Sequence, residues 1–279
     1  MKPTTLLRYF RPSKLLIALI FAIPVLSGTT SQALVTPSVS GADEDERALQ
    51  ADALKAFGTR VPFPFFKNIG FLSNSTAVYI GNGYVLTAAH VGSGVFRLSD
   101  GSSYLPVTGS EQQIYNRSGS KADLLLFRIA FGPLDSIAQL QEIPFGPIPP
   151  PAGSQVLVLS AGRGAEKPSY AWDDRSVVRW GLNRVEQVYT DWIETFEFRT
   201  AGFSTGFEAG SGDCQAAPGD SGGAAFVFNQ KAGIWQLGGI ILAVDSEEPT
   251  AADGDSTYIG TLMNLPKEIL EQGKLVATR

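Results

Sequence analysis

The chain has 279 residues, of which 44% are hydrophobic and 18% charged, and its formal net charge is −5 at neutral pH. This composition is typical of a globular protein with a sizeable core, and it excludes an intrinsically disordered chain. The excess of acidic over basic residues also argues against binding of nucleic acid, which requires a basic surface.

The N-terminus has the three regions of a secretory signal peptide. Four basic residues precede the apolar run LLIALIFAIPVL at 15–26, and the small-residue site Ser31-Gln32-Ala33 follows it. We expect residues 1–33 to be removed after Ala33, giving a secreted or periplasmic protein without stable membrane insertion. A retained membrane anchor is the alternative, but the apolar run is well short of the ~20 residues that span a bilayer. Removal of the signal leaves 18 basic and 27 acidic residues.

Residues 34–60 form an acidic extension between the signal and the main domain. The stretch GADEDERALQADALKAF at 41–57 begins with acidic residues and continues with apolar residues at roughly helical spacing. This pattern predicts a short exposed helix or a pro-segment that precedes a domain over 61–279.

From Val61 onward, the sequence consists of short apolar runs broken by Gly, Pro, Asn and Asp. This pattern is typical of β-structure. Hairpin turns are predicted at Asn82-Gly83, at Asp100-Gly101 and around 231–233.

Proline divides this β-region into two halves. The stretch FGPIPPPAG at 145–153 predicts a surface linker, because proline cannot donate to a central sheet ladder. We therefore expect one barrel over about 61–145 and a second over about 153–263. The final stretch PKEILEQGKL at 266–275 predicts a C-terminal helix.

Ser221 lies in CQAAPGDSGG at 214–223, where glycine permits unusual dihedrals and close approach of a carbonyl to backbone N–H groups. A plain glycine turn and the nucleophile elbow of α/β-hydrolases have the same Gly-x-Ser-x-Gly pattern. The elbow requires a histidine after the serine, whereas the only histidine here, His90, precedes it. The elbow is therefore excluded.

His90 ends the apolar strand GYVLTAAHV, and Asp123 opens the apolar strand KADLLLFRI. By default such a histidine is a satisfied core residue, and such an aspartate caps a strand end through backbone amides. However, a serine nucleophile needs a base, and a buried carboxylate needs a hydrogen-bond donor. His90 can meet both needs, which favours a Ser-His-Asp arrangement with Ser221.

The stretches LTAAHV, ADLLLFRI and GDSGG, in that order, resemble the trypsin-like (chymotrypsin-fold) serine proteases, and the likeness extends from about Val61 to the end of the chain. The resemblance implies an all-β fold of two orthogonal six-stranded antiparallel β-barrels with the active site in the cleft between them. It implies His90, Asp123 and Ser221 as catalytic residues, with the backbone N–H groups of Gly219 and Ser221 as the oxyanion hole.

The implied activity is that of an exported serine endopeptidase, which acts on protein or peptide substrates through an acyl-enzyme and uses no metal or cofactor. A catalytically silent homologue that binds a protein partner is the alternative.

Two features differ from the family pattern. Cys214 is the only cysteine, so no internal disulfide can form; this resembles bacterial exported members. Cys214 is either a small buried hydrophobe or a free thiol.

The second difference concerns activation. In the family, an N-terminus similar to Ile-Val-Gly-Gly pairs with the aspartate before the serine. Cleavage after Arg60 would expose a new N-terminus that begins Val61-Pro62-Phe63, which matches this pattern poorly. Either Asp220 is satisfied by another donor, or activation works differently.

The primary pocket is inferred by similarity alone. Gln215 would lie near its floor, and Leu242, Ala243 and Val244 would line its wall. These residues suggest a preference for a small or medium uncharged substrate side chain. Alternatively, Asp253 or Asp255 enters the pocket, and the preference then differs.

Overall fold

The computed structural model describes residues 46–146, 149–162, 177–209, 211–246, 250–266 and 269. The predicted signal peptide and most of the predicted C-terminal helix lie outside these ranges. In the described part of the chain, no helix has the length and hydropathy needed to span a bilayer.

The described elements are one α-helix, two short 3-10 helices and thirteen strands. The α-helix is α1 (Glu46–Ala56), and the 3-10 helices cover Phe66–Asn68 and Ser136–Gln139. The first half contains β1 (Ile69–Leu72), β2 (Ser75–Gly81), β3 (Tyr84–Thr87), β4 (Phe96–Leu98), β5 (Ser103–Tyr104), β6 (Gln112–Tyr115) and β7 (Lys121–Arg128). The second half contains β8 (Gln155–Ser160), β9 (Arg179–Thr195), β10 (Phe198–Gly206), β11 (Ala224–Asn229), β12 (Ile234–Asp245) and β13 (Ser256–Thr261).

The first half is a seven-stranded antiparallel sheet in the order β5-β4-β1-β2-β3-β7-β6. The sheet curls back on itself because the chain after β5 pairs with the end of β7. There the Val107 N–H donates to the Arg128 carbonyl at 2.8 Å, and the Ala130 N–H donates to the Leu105 carbonyl at 3.0 Å. The half therefore has the curvature of the predicted barrel, built from seven strand segments rather than six.

The second half is a closed six-stranded barrel in the order β10-β13-β12-β11-β8-β9. The three predicted turns join β2 to β3, β4 to β5, and β11 to β12. The all-β, two-barrel prediction is confirmed.

Helix α1 lies in the predicted acidic extension, but it is not simply an exposed helix. Leu49 and Ala53, one turn apart, are both 0% exposed, and Phe57 follows one turn later. The Phe57 ring packs edge-on against Trp235 of the second barrel at 4.6 Å between centroids. Gln50 hydrogen-bonds to both backbone groups of Phe63. The apolar face of the helix is therefore part of the protein core.

Candidate active site

His90 lies in a turn just after β3, an interior strand of the first sheet. The turn is closed by hydrogen bonds from the Val91 N–H to the Ala88 carbonyl and from the Gly92 N–H to the Ala89 carbonyl. The side chain of His90 is 18% exposed, so the ring is accessible at the surface while part of it contacts the protein.

Asp123 on β7 is fully buried, and both of its carboxylate oxygens face His90. Oδ1 accepts a hydrogen bond from the His90 backbone N–H at 2.9 Å, and Oδ2 lies 2.8 Å from Nδ1 of the ring. An ionised carboxylate only accepts hydrogen bonds, so Nδ1 carries a proton. In the neutral ring, Nε2 is then left as a proton acceptor. The structure brings these two residues together as the sequence predicted.

The β9–β10 hairpin of the second barrel supplies further partners to Asp123. The Thr195 hydroxyl donates to Oδ2 at 2.6 Å, and the Thr200 hydroxyl accepts the Asp123 backbone N–H at 2.8 Å. The buried carboxylate thus accepts three hydrogen bonds, which compensate for its loss of hydration. No local sequence signal points to either threonine.

Phe196 is at the tip of the same hairpin, beside His90. The two ring centroids are 5.3 Å apart, with an angle of 47° between the ring planes. Phe196 is 80% exposed and has a φ of 50°, which is unusual for a large side chain. No local sequence signal points to Phe196 either.

Ser221 lies in a tight loop between two glycines with positive φ, Gly219 (95°) and Gly222 (87°). Its carbonyl accepts the Thr76 N–H of β2 at 3.0 Å, which fixes the loop to the first sheet. A Cβ on Gly222 would collide with the Thr76 carbonyl and the Thr87 hydroxyl, so only glycine allows this close approach. Since Thr87 precedes His90 by three residues, the loop is docked at the His90 end of β3.

No hydrogen bond joins the Ser221 hydroxyl to the His90 ring among the contacts of the described residues. Such bonds are often long or poorly aligned in sites without substrate and tighten when it binds.

The backbone of the Ser221 loop has a distinctive hydrogen-bond pattern. The N–H groups of Asp220, Gly222 and Gly223 donate to the carbonyls of Ala217, Ile241 and Asp220, respectively. Within the ranges that the structure describes, the N–H groups of Gly219 and Ser221 have no acceptor. Two backbone donors beside the Ser221 hydroxyl are thus available to an external oxygen, and they are the two predicted for the oxyanion hole.

Thr76 connects this loop to the second barrel. Its hydroxyl donates to the Gly219 carbonyl at 3.2 Å and accepts the Ala161 N–H at 2.9 Å. No local sequence signal points to Thr76, because its role depends on contacts between residues far apart in the chain.

Asp220 is fully buried and is held by donors from within the protein. Oδ1 accepts the Ser160 hydroxyl at 2.5 Å and the Gly162 N–H at 3.0 Å, and Oδ2 accepts the Ala217 N–H at 2.6 Å. The sequence left open whether Asp220 has another donor or activation works differently. In the structure, Asp220 has other donors.

The residues predicted for the primary pocket differ in their exposure. Gln215 is 1% exposed; its Nε2 donates to the Ser256 carbonyl at 3.2 Å, and its Oε1 accepts the Thr257 hydroxyl at 3.0 Å. Leu242 is a buried core residue, whereas Ala243 and Val244 are half-buried. The pocket assignment stays a prediction.

The two acidic residues considered for the pocket each accept a backbone hydrogen bond. Asp253 accepts the Ala209 N–H at 2.6 Å, and Asp255 accepts the Ala252 N–H at 2.8 Å.

Cys214 is a buried core residue. It packs in a cluster of apolar side chains of the second barrel, and burial raises the pKa of its thiol. This environment fits the interpretation of Cys214 as a small buried hydrophobe rather than a reactive thiol.

A family model described as Trypsin matches residues 58–252. Neuropsin, a serine protease expressed in the limbic system of mouse brain, is 16% identical, with a TM-score of 0.53 over 75% of this chain and 96% of that chain. An inactive serine-to-alanine mutant of Rv3671c from M. tuberculosis H37Rv is 14% identical, with a TM-score of 0.48 over 91% of this chain and 98% of that chain. No curated protein matches significantly. Because the family model matches more than half of the residues, the chain belongs to the trypsin family.

Proposed function

We propose that the protein is an exported serine endopeptidase that hydrolyses peptide bonds with Ser221 as nucleophile, His90 as base and Asp123 as the carboxylate that orients His90. Membership of a serine protease family and the 2.8 Å contact between His90 and Asp123 support this proposal. The main support comes from the backbone N–H groups of Gly219 and Ser221, which have no acceptor among the described residues and lie beside the hydroxyl of Ser221.

The reaction begins when Nε2 of His90 takes the proton of the Ser221 hydroxyl as the oxygen attacks the substrate carbonyl. The carbonyl oxygen becomes negatively charged, and the N–H groups of Gly219 and Ser221 stabilise it. His90 then gives the proton to the leaving amine, and an acyl group remains on Ser221. Water, deprotonated by His90, releases the acid and restores the hydroxyl.

Asp123 stays ionised through this cycle. It holds the ring of His90 through Nδ1 and stabilises the imidazolium, which carries a full positive charge. Its hydrogen bonds from the His90 N–H and Thr195 keep the carboxylate in place as the proton moves on the other side of the ring.

The second candidate is a catalytically silent homologue that binds a protein partner. A binding module has no chemical need for a histidine–carboxylate pair, or for two free N–H groups beside a serine. The absence of a hydrogen bond between Ser221 and His90 among the contacts of the described residues is the one observation that favours the silent homologue.

The proposed export rests on the sequence of residues 1–33, and the single cysteine supports a bacterial type of exported protease without disulfides. Expression of the full chain in a bacterial host should give a secreted or periplasmic product that lacks these residues. Mass spectrometry of that product identifies its N-terminus, and a cell-associated product that keeps residues 1–33 would contradict export.

Proteolysis is tested with a panel of casein and denatured proteins. The wild-type protein should cleave the panel, whereas Ser221→Ala and Asp123→Asn should lose activity by orders of magnitude while remaining folded. Thr205→Val is a matched control, because the Thr205 hydroxyl is buried without a hydrogen-bond partner. Equal cleavage by Ser221→Ala and wild type would refute the proposal.

A further inference from the structure

Phe196 combines three properties that a surface residue without a role does not need. It leaves a large apolar ring 80% exposed, it adopts a φ of 50°, and its ring contacts His90. Asn or Gly would occupy this backbone conformation at lower conformational cost, and either would remove the exposed apolar surface. Strained residues of this kind concentrate at functional sites.

The hairpin tip is fixed relative to His90. On one side of the tip, Thr195 donates to Asp123; on the other, Glu197 pairs with Lys121 of β7 at 2.6 Å. Further along β10, the Arg199 carbonyl accepts the Asn116 side chain at 2.5 Å. The aromatic ring is therefore held at one edge of the candidate active site by contacts to the opposite barrel.

We propose that Phe196 forms the apolar wall of a substrate subsite beside His90, which binds an aliphatic or aromatic substrate side chain within two residues of the scissile bond. This inference rests on the proposed function, because His90 must lie against the reacting part of a bound peptide. A substrate side chain over His90 meets the face or edge of the Phe196 ring. Burial of two apolar groups against each other then favours that substrate.

The charges around the tip support an apolar occupant. Glu197 and Lys121 pair with each other, and Glu194 pairs with Arg199 at 2.8 Å, so these charges are matched within the hairpin and its contact with β7. The neighbouring His90 ring is directed towards Asp123 through Nδ1. The ring of Phe196 is thus the group at the tip that offers binding energy to a side chain.

The test is cleavage-site profiling of a mixed peptide library with wild type, Phe196→Asn and Phe196→Leu. Asn suits the positive φ, so this variant keeps the hairpin, whereas Leu keeps an apolar wall. We expect wild type to enrich apolar residues at one position within two residues of the cut. Phe196→Asn should lose most of that enrichment, with a roughly tenfold lower kcat/KM for apolar substrates, and Phe196→Leu should retain it.

Leu134→Ser is the matched control, because Leu134 is an apolar residue, 96% exposed, in the segment after β7. Its profile should equal that of the wild type. Identical profiles for wild type and Phe196→Asn, or an equal loss on all substrates, would overturn the inference while leaving the proposed protease function intact. Absence of cleavage by the wild type, with Ser221 unlabelled by a serine-directed phosphonate, would instead refute the protease function itself.

Discussion

The hydroxyl of Thr195 donates a 2.6 Å hydrogen bond to Oδ2 of Asp123, the same oxygen that lies 2.8 Å from Nδ1 of His90. The two residues are 72 positions apart and belong to different barrels. The carboxylate that orients the proposed base is thus itself oriented by the opposite half of the protein.

Thr195→Val removes this hydrogen bond with little change of shape. A hydrogen bond to a charged group is worth about 1.5–3 kcal/mol, so we expect kcat to fall about 10- to 100-fold with little change in KM. Thr195→Ser, which keeps the hydroxyl, should restore most of the activity. Peptide-substrate kinetics measure both variants.

Thr205→Val controls for the general effect of replacing a buried threonine in the same hairpin. The Thr205 hydroxyl has no hydrogen-bond partner, so its removal should leave activity and stability almost unchanged. If Thr195→Val matched this control in kcat, Thr195 would have no positioning role.

The contacts of Asp220 predict activity without a cut after Arg60. Ser160, Gly162 and Ala217 donate to its carboxylate, so this group does not require the ammonium of a new N-terminus. Arg60→Gln, which blocks cleavage by trypsin-like enzymes, should retain wild-type activity. Intact-mass measurement verifies that residues 46–60 are still attached, and an inactive, uncut variant would contradict this prediction.

Helix α1 should contribute to the stability of the folded protein. Leu49 is 0% exposed, so Leu49→Ala is expected to lower the free energy of unfolding by about 2–5 kcal/mol. Asp52→Ala, at an exposed position of the same helix, should change it by less than about 0.5 kcal/mol. Urea denaturation measures both. Equal stability of the two variants would show that the helix is dispensable.

The Cys214 thiol should be inert in the folded protein. Burial raises its pKa, and only the thiolate reacts readily. At pH 8, a disulfide reagent such as DTNB should modify Cys214 at least tenfold more slowly in native protein than in protein unfolded with urea. Equal rates would identify Cys214 as an accessible thiol.

Local sequence signals predicted much of the fold. Asn82-Gly83 has the turn chemistry of a two-residue hairpin loop, and the structure joins β2 to β3 there. The apolar run after Asp123 becomes a buried strand, and the contact of its carboxylate with His90 follows from the cost of burying a charge without a partner.

The β9–β10 turn was not predictable in the same way. Its central residues are Phe196 and Glu197, neither of which is a typical turn former, so the alternating run ETFEFRT gives no local sign of a hairpin. The roles of Thr195 and Thr200 depend on docking of this hairpin against β7, which is a contact between distant parts of the chain. Likewise, helical spacing predicted α1 but could not show which surface would bury Leu49.

The proposed role of Ser221 as nucleophile is tested most directly by intact-protein and peptide mass spectrometry after treatment with a serine-directed phosphonate. We predict one adduct per chain, located on Ser221, formed by the folded wild type and abolished in Ser221→Ala and after unfolding. Strong reduction in His90→Ala would confirm that the serine depends on its base. A folded wild-type protein that remains unlabelled at Ser221 would contradict the role of Ser221 as nucleophile.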